Sequence, residues 1–138
     1  MSRLWVIDTN VIVSGLLYPA SMPGLVLEAG VGGGYRFAYN APTLAEYREV
    51  LSRRKFGFSP AAVDEFVAAL LRFPPTATLA AMRSLPDPDD EPFLAVALAT
   101  PDRVLVTGNI RDYPAAVSEG ITLLTPRAAY TLLMGPRR

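Results

Sequence analysis

The stretch Leu4-Trp5-Val6-Ile7-Asp8-Thr9-Asn10 constrains this chain more than any other. Four consecutive apolar residues, two of them β-branched, read as a short strand buried on both faces. They run straight into a carboxylate. An unpaired carboxylate at the end of a buried strand is costly, so Asp8 needs solvent, a polar partner or a metal ion. Thr9 and Asn10 bring a hydroxyl and an amide that could hold it. Asp8 is therefore either the cap of a following helix or the first member of a site.

Composition narrows the chemistry. A chain of 138 residues, half of them hydrophobic, suits one domain spanning residues 1–138 with a packed core. No apolar run approaches the eighteen or so residues of a membrane span, and the N-terminus has no signal-peptide pattern. Cysteine is absent, which excludes disulfides and thiolate metal sites and fits a cytoplasmic protein. Histidine is absent too, which excludes Ser-His-Asp triads and imidazole-bound zinc. Any metal must be held by oxygen, which points to hard cations such as Mg²⁺ or Mn²⁺. Acidic and basic residues balance at 13 each, so only local patches could carry polyanion binding. The bases are arginines apart from Lys55, and arginine suits bidentate phosphate or carboxylate contacts.

Along the chain, helical patterns are expected at 11–18 and 23–29, and a helix end and turn at Gly30 and Gly32-Gly33-Gly34. The glycines lack the Gly-Lys-Ser/Thr ending of a phosphate-binding loop and lead into a strand instead of a helix. A strand at 36–39 precedes a helix at 43–54. Ser59 and Pro60 start another helix that runs to residue 72, with an apolar face of Val63, Phe66, Val67, Leu70 and Leu71. A weak strand at 76–82 leads to the acidic turn Asp87-Pro88-Asp89-Asp90 and a buried helix from Phe93. Strands at 103–107 and 121–125 complete the pattern, with a short helix after Asp112 and a last one from Pro126 to Met134. Strands and helices alternate, so an α/β layer fold with a mostly parallel sheet is expected. Its strand ends share one edge, where sites form at a switch in strand order.

The acids fall on that edge. Asp8 ends the first strand, Glu46 lies early in the helix after the second, Asp90 starts a later helix, and Asn109 and Asp112 follow the fourth. Each has an ordinary reading as well. Thr43 and Glu46 have capping-box spacing, Asp8, Asp90 and Asp112 could be N-caps, and Asn109 fits a Gly-Asn turn. As a set they suit a hard divalent cation that activates water and orients a scissile phosphodiester, and four acids could hold one metal or two. Glu49 is expected in solvent, and Asp87 and Asp89 in turn and capping roles. The cluster Arg53-Arg54-Lys55 reads as a helix end favoured by its dipole, with RNA phosphates as the alternative. Tyr18, Phe56 and Phe58 are expected to pack, with base stacking as the alternative.

These residues together resemble the PIN-domain nucleases, in particular the prokaryotic toxin branch that includes VapC-type toxins. The resemblance rests on Val6-Ile7-Asp8-Thr9-Asn10, Leu44 to Leu51 around Glu46, Asp87-Pro88-Asp89-Asp90 before Phe93-Leu94, and Val106-Thr107-Gly108-Asn109 with Asp112. It implies a three-layer PIN-like fold with a central five-stranded parallel sheet. It also implies a Mg²⁺- or Mn²⁺-dependent ribonuclease that is the toxin of a type II toxin–antitoxin pair, with RNA as substrate, a cognate antitoxin and a homodimer. By position Asp8, Glu46, Asp90 and Asp112 match the acidic metal site, with Thr9, Asn10, Thr107 and Asn109 as supporting polar groups. Asn109 stands where the family often has aspartate, and an amide oxygen carries no charge to offer a second metal. A PIN module that binds RNA or protein without cutting is the alternative. Two other phosphoryl-transfer α/β classes fit less well. Phosphoaspartate phosphatases need an aspartate where Asn10 stands, and receiver domains need a lysine after a late strand, whereas Lys55 is the sole lysine.

Overall fold

Strand β1, Leu4–Ile7, lies inside the sheet, with Trp5, Val6 and Ile7 buried as a strand covered on both faces requires. The structure, a computed structural model, describes residues 3–78, 85–114 and 120–135. Strand β2, Arg36–Phe37, flanks β1 on one side and β3, Val104–Val106, on the other, with β4, Thr122–Leu124, beyond β3. All pairings are parallel, in a register that sets Leu4 beside Arg36, Ile7 beside Val106 and Val106 beside Leu124. In the order β2-β1-β3-β4 the chain leaves β1 toward one edge and later returns on its other side. The reversal falls between β1 and β3, and open parallel sheets bind ligands at the carboxyl ends of strands at such a point.

The sheet has four strands among the described residues, not the expected five. Of the weak candidate at 76–82, residues 79–82 lie outside the described residues, and Thr76, Ala77 and Thr78 are not in a strand. Thr76 N–H donates to Tyr39 O at 2.7 Å and Asn40 Nδ2 to Thr78 Oγ1 at 3.3 Å. The segment thus runs beside the exit of β2 without forming a ladder there. Strand β2 is itself shorter than the expected 36–39, because the chain turns at Asn40 into the cap of the next helix.

Six α-helices surround the sheet in the described residues: α1 (Thr9–Leu17), α2 (Met22–Val31), α3 (Ala41–Leu51), α4 (Pro60–Leu70), α5 (Glu91–Ala99) and α6 (Pro126–Met134). Ser21, Ser59 and Thr125 cap α2, α4 and α6 by accepting the N–H of the third helical residue, with proline in the first turn each time. The capping box of α3 pairs Asn40 with Thr43 through two 2.9 Å bonds, so Thr43 does not pair with Glu46. Helix α3 therefore starts at Ala41, which puts Glu46 in its second turn. Helices α3 and α4 stop short of the expected ends, and Leu71 stays exposed. Helix α1 begins at Thr9, two residues earlier than expected, because Asp8 O accepts the N–H groups of Val11 and Ile12. The turn between α1 and α2 is tight: a Cβ on Gly24 would stand 2.2 Å from Pro19 O.

Inside, an aromatic run from Trp5 through Tyr35, Phe37, Phe66 and Tyr47 to Phe93 has ring centroids 5.1–5.7 Å apart. Tyr47 OH donates to Ile7 O, which ties α3 to the exit of β1. Helix α5 buries Phe93 to Ala97 and packs on β1 and β3. Among the described residues no single helix is long and apolar enough to cross a membrane.

Candidate functional site

Asp8 sits where the strand order reverses. Its N–H donates to Val106 O at 2.9 Å, which extends the β1–β3 ladder to the first residue past the strand. The backbone is extended there, and the residue occupies the N-cap position of α1, yet its side chain caps nothing. The carboxylate turns toward β3. Oδ2 accepts from Thr107 Oγ1 at 2.9 Å, Tyr113 OH at 3.0 Å and Asn10 Nδ2 at 3.3 Å. Asp8 is 3 % exposed, and both Thr107 and Tyr113 are fully buried. Burial raises the Asp8 pKa above the ordinary carboxylate value, the bonds from Thr107 and Tyr113 work against that, and the Asp112 charge adds to it.

The polar neighbours hold the strand exits together. Asn10 Oδ1 accepts Gly108 N–H at 3.0 Å and so staples the residues after β1 to those after β3. Thr107 Oγ1 also accepts Asn109 N–H at 3.1 Å. Thr9 Oγ1 donates to Glu46 Oε2 at 2.7 Å, which joins the start of α1 to the second turn of α3. Asn109 holds the N-cap position of the 3₁₀ turn Ile110–Asp112 without a side-chain cap bond, and Asp112 ends that turn instead of capping a helix. The short helix expected after Asp112 falls largely on 115–119, outside the described residues.

Glu46 and Asp90 are half-buried, and Asp90 precedes α5 without capping it. Burial is the main cause that raises both carboxyl groups, and neighbouring acids push them further. For Glu46 those acids are Asp8, Asp89 and Asp87, against the bond from Thr9. For Asp90 they are Asp8, Asp87, Asp112 and Glu46, and its pKa reaches about 7. Asp8, Glu46, Asp90 and Asp112 thus share one electrostatic neighbourhood at the carboxyl edge of the sheet. The side chains are not drawn into a coordination shell: among the described residues no group of three acids is close enough to hold a metal ion. The donor set itself, carboxylates with one acid already fixed by three donors, fits a hard divalent cation.

Asp87 is a capping residue, accepting Asp89 N–H at 2.9 Å, and Asp89 is exposed. Glu49 is exposed and pairs with Arg53 at 2.8 Å. Phe56 and Phe58 stack on each other at 5.7 Å. Tyr18 does not pack as expected: it is 66 % exposed, because it lies just past the last turn of α1. Two residues at the site had no role in the sequence reading. Tyr113 contacts an acid 105 positions away, a pairing that no local spacing reveals. Tyr47 reads as one more member of an apolar stripe, and only its hydroxyl gives it a second role. A cavity of about 320 Å³ adjoins the centre, bordered by Asn10, Ser14, Gly108, Asn109 and Pro126 among others.

A family model described as PIN domain matches residues 5–111. That span contains Asp8, Glu46, Asp90, Thr107 and Asn109 and stops one residue before Asp112. No curated protein and no solved structure matches the chain significantly.

Proposed function

Because the chain belongs to the PIN domain family, whose members are generally nucleases, we propose that it is a Mg²⁺- or Mn²⁺-dependent endoribonuclease. One observation carries the reading. The Asp8 carboxylate is buried at the strand-order reversal, caps no helix, and is fixed by Thr107, Tyr113 and Asn10. A side chain so placed serves something other than the fold, since a buried carboxylate costs stability that an apolar residue would not.

In this reading Asp8, Glu46, Asp90 and Asp112 hold the cation. When bound, it neutralises charge at the scissile phosphate and makes an attacking water more acidic. The residues of the chain do the rest. Thr107, Tyr113 and Asn10 keep Asp8 in one orientation, and Thr9 does the same for Glu46. Burial and the neighbouring acids raise the Asp90 pKa to about 7, so a cation held there would compete with a proton on this carboxyl. The cavity bordered by Asn10, Gly108 and Asn109, residues that bond to or neighbour the Asp8 cluster, would give room for part of a nucleotide. The toxin role, a cognate antitoxin, a homodimer and a cytoplasmic location complete the proposal and rest on the likeness of the motifs to the toxin branch.

The second reading is a PIN module that binds RNA or protein without cutting. It is favoured by the spread of the acids and by the amide at Asn109. Titration with Mn²⁺ and an RNA cleavage assay separate the two. Saturable Mn²⁺ binding with cleavage lost in Asp8→Ala and Asp90→Ala supports the enzyme, and no Mn²⁺ binding supports the inert module.

A further inference from the structure

Among the described residues one buried side-chain nitrogen or oxygen has no hydrogen-bond partner, and it is Arg36 Nε. Arg36 opens β2 in register with Leu4. It therefore lies at the opposite end of the sheet from Asp8, about 13 Å away along the strand direction. Its guanidinium carbon sits over the Phe73 ring, 4.0 Å from the centroid. Beside it is a cavity of about 320 Å³ bordered by Arg36, Arg72, Tyr35, Phe37, Phe73 and Gly33 among others. Arg72 is fixed by its own bonds, from Nη2 to Val31 O at 2.6 Å and from Nε to Ala69 O at 3.3 Å.

Two arginines thus border one cavity, and among the described residues that line it none is acidic. The ion pair formed among the described residues, Arg53 with Glu49, involves neither of them. Like charges around a shared space repel until an anion joins them. Arg36 Nε is itself shut off from solvent, so an anion in the cavity would meet the terminal nitrogens of the fork. The adjoining glycine turn does not supply the recognition. The N–H groups of Gly32, Gly33 and Gly34 already donate to Glu28, Gly30 and Ala29 carbonyls.

We propose that this cavity is a second ligand site, independent of the nuclease reading, and that it takes the phosphate monoester of a nucleotide. Arginine forks match phosphate oxygens in pairs, and two positive charges match a dianion. The space exceeds what one phosphate fills, and the exposed Phe73 ring on its border leaves apolar surface for the nucleoside.

The single tryptophan, Trp5, stacks on Tyr35 of the cavity wall at 5.2 Å, so its fluorescence reports occupancy. The full chain and its Asp8→Asn variant are titrated with adenosine 5′-monophosphate, adenosine, inorganic phosphate and an RNA hexamer with hydroxyls at both ends. The monophosphate is expected to bind both proteins alike, with inorganic phosphate competing. Adenosine is expected to bind about tenfold more weakly or worse, and Arg36→Gln to weaken the monophosphate by about tenfold or more. Arg36→Lys, which keeps the charge and loses the fork, should fall between, and it serves as the test if Arg36→Gln does not fold. Unchanged binding in both Arg36 variants, equal binding of adenosine, or loss of binding in Asp8→Asn overturns the proposal. Displacement of the monophosphate by the hexamer overturns the monoester assignment in favour of backbone phosphates.

Discussion

Thr107→Val is the most informative single change to the supporting shell. Valine nearly keeps the shape of a fully buried threonine but removes the hydroxyl that donates to Asp8 Oδ2 at 2.9 Å and accepts Asn109 N–H at 3.1 Å. A hydrogen bond to a carboxylate contributes about 1.5–3 kcal/mol. Asn109 is exposed, so its N–H turns to water at little cost. The expected loss is about 2 kcal/mol, which lowers Tm by about 6–10 °C in a domain of this size. Thr107→Ser keeps the hydroxyl and loses one methyl, at about 1 kcal/mol. The Thr107 bond also lowers the Asp8 pKa, so its removal pushes that carboxyl further up. At pH 7 Mn²⁺ affinity should then drop about 10–100-fold, the range for losing a partner of a metal ligand. Calorimetric titration with Mn²⁺, beside thermal melts of the three proteins, reads both effects. A Thr107→Val protein that binds Mn²⁺ as tightly as the parent refutes the assignment of Asp8 as a held ligand.

Three further expectations follow from the same geometry. The Asp90 pKa is raised to about 7, first by burial and then by Asp8, Asp87, Asp112 and Glu46, so its stabilising proton is fully present below its ordinary value near 3.8 and is lost as pH rises through about 7. Metal-free Tm should therefore fall between pH 5 and 8 in differential scanning fluorimetry, Asp90→Asn should flatten that slope, and saturating Mn²⁺ should reverse it; a metal-free Tm that rises over this range contradicts the shift. Asn109→Asp should tighten Mn²⁺ binding by calorimetry while lowering metal-free Tm, since it adds a charge beside the acids; unchanged affinity would place residue 109 outside the site. Gly24→Ala puts a methyl 2.2 Å from Pro19 O, so the α1–α2 turn must shift, at about 1–3 kcal/mol in urea unfolding; a neutral result would contradict a tight α1–α2 turn.

The parts of this molecule that local chemistry decides were legible in its sequence. An all-apolar run ending in Asp8 specified a central strand, and Ser59-Pro60 and Pro126 specified helix starts that the structure has, while Thr125, expected to end a strand, caps the last helix. Alternation of strand and helix was enough for the parallel sheet, and hence for the edge that carries the acids. Where two local partners competed, spacing misled. Thr43 lies three from Glu46 and also three from Asn40, and the cap went to Asn40 because the chain turns there from β2. The strand count depended on pairing partners, and Thr76 offers Tyr39 one backbone bond without a ladder. Tyr113 and Arg36 were illegible for the same reason. What distinguishes them is a partner, or the lack of one, at the far end of a long side chain.

If the acidic edge around Asp8 cuts RNA, it does so with a divalent cation. The direct measurement is cleavage of a mixed-sequence RNA by the purified chain with Mn²⁺, with excess chelator, and by folded Asp8→Asn and Asp90→Asn proteins. Cleavage should require the cation, stop with chelator and disappear in both variants. Cleavage at the parent rate in either folded variant, or in chelator, would contradict it.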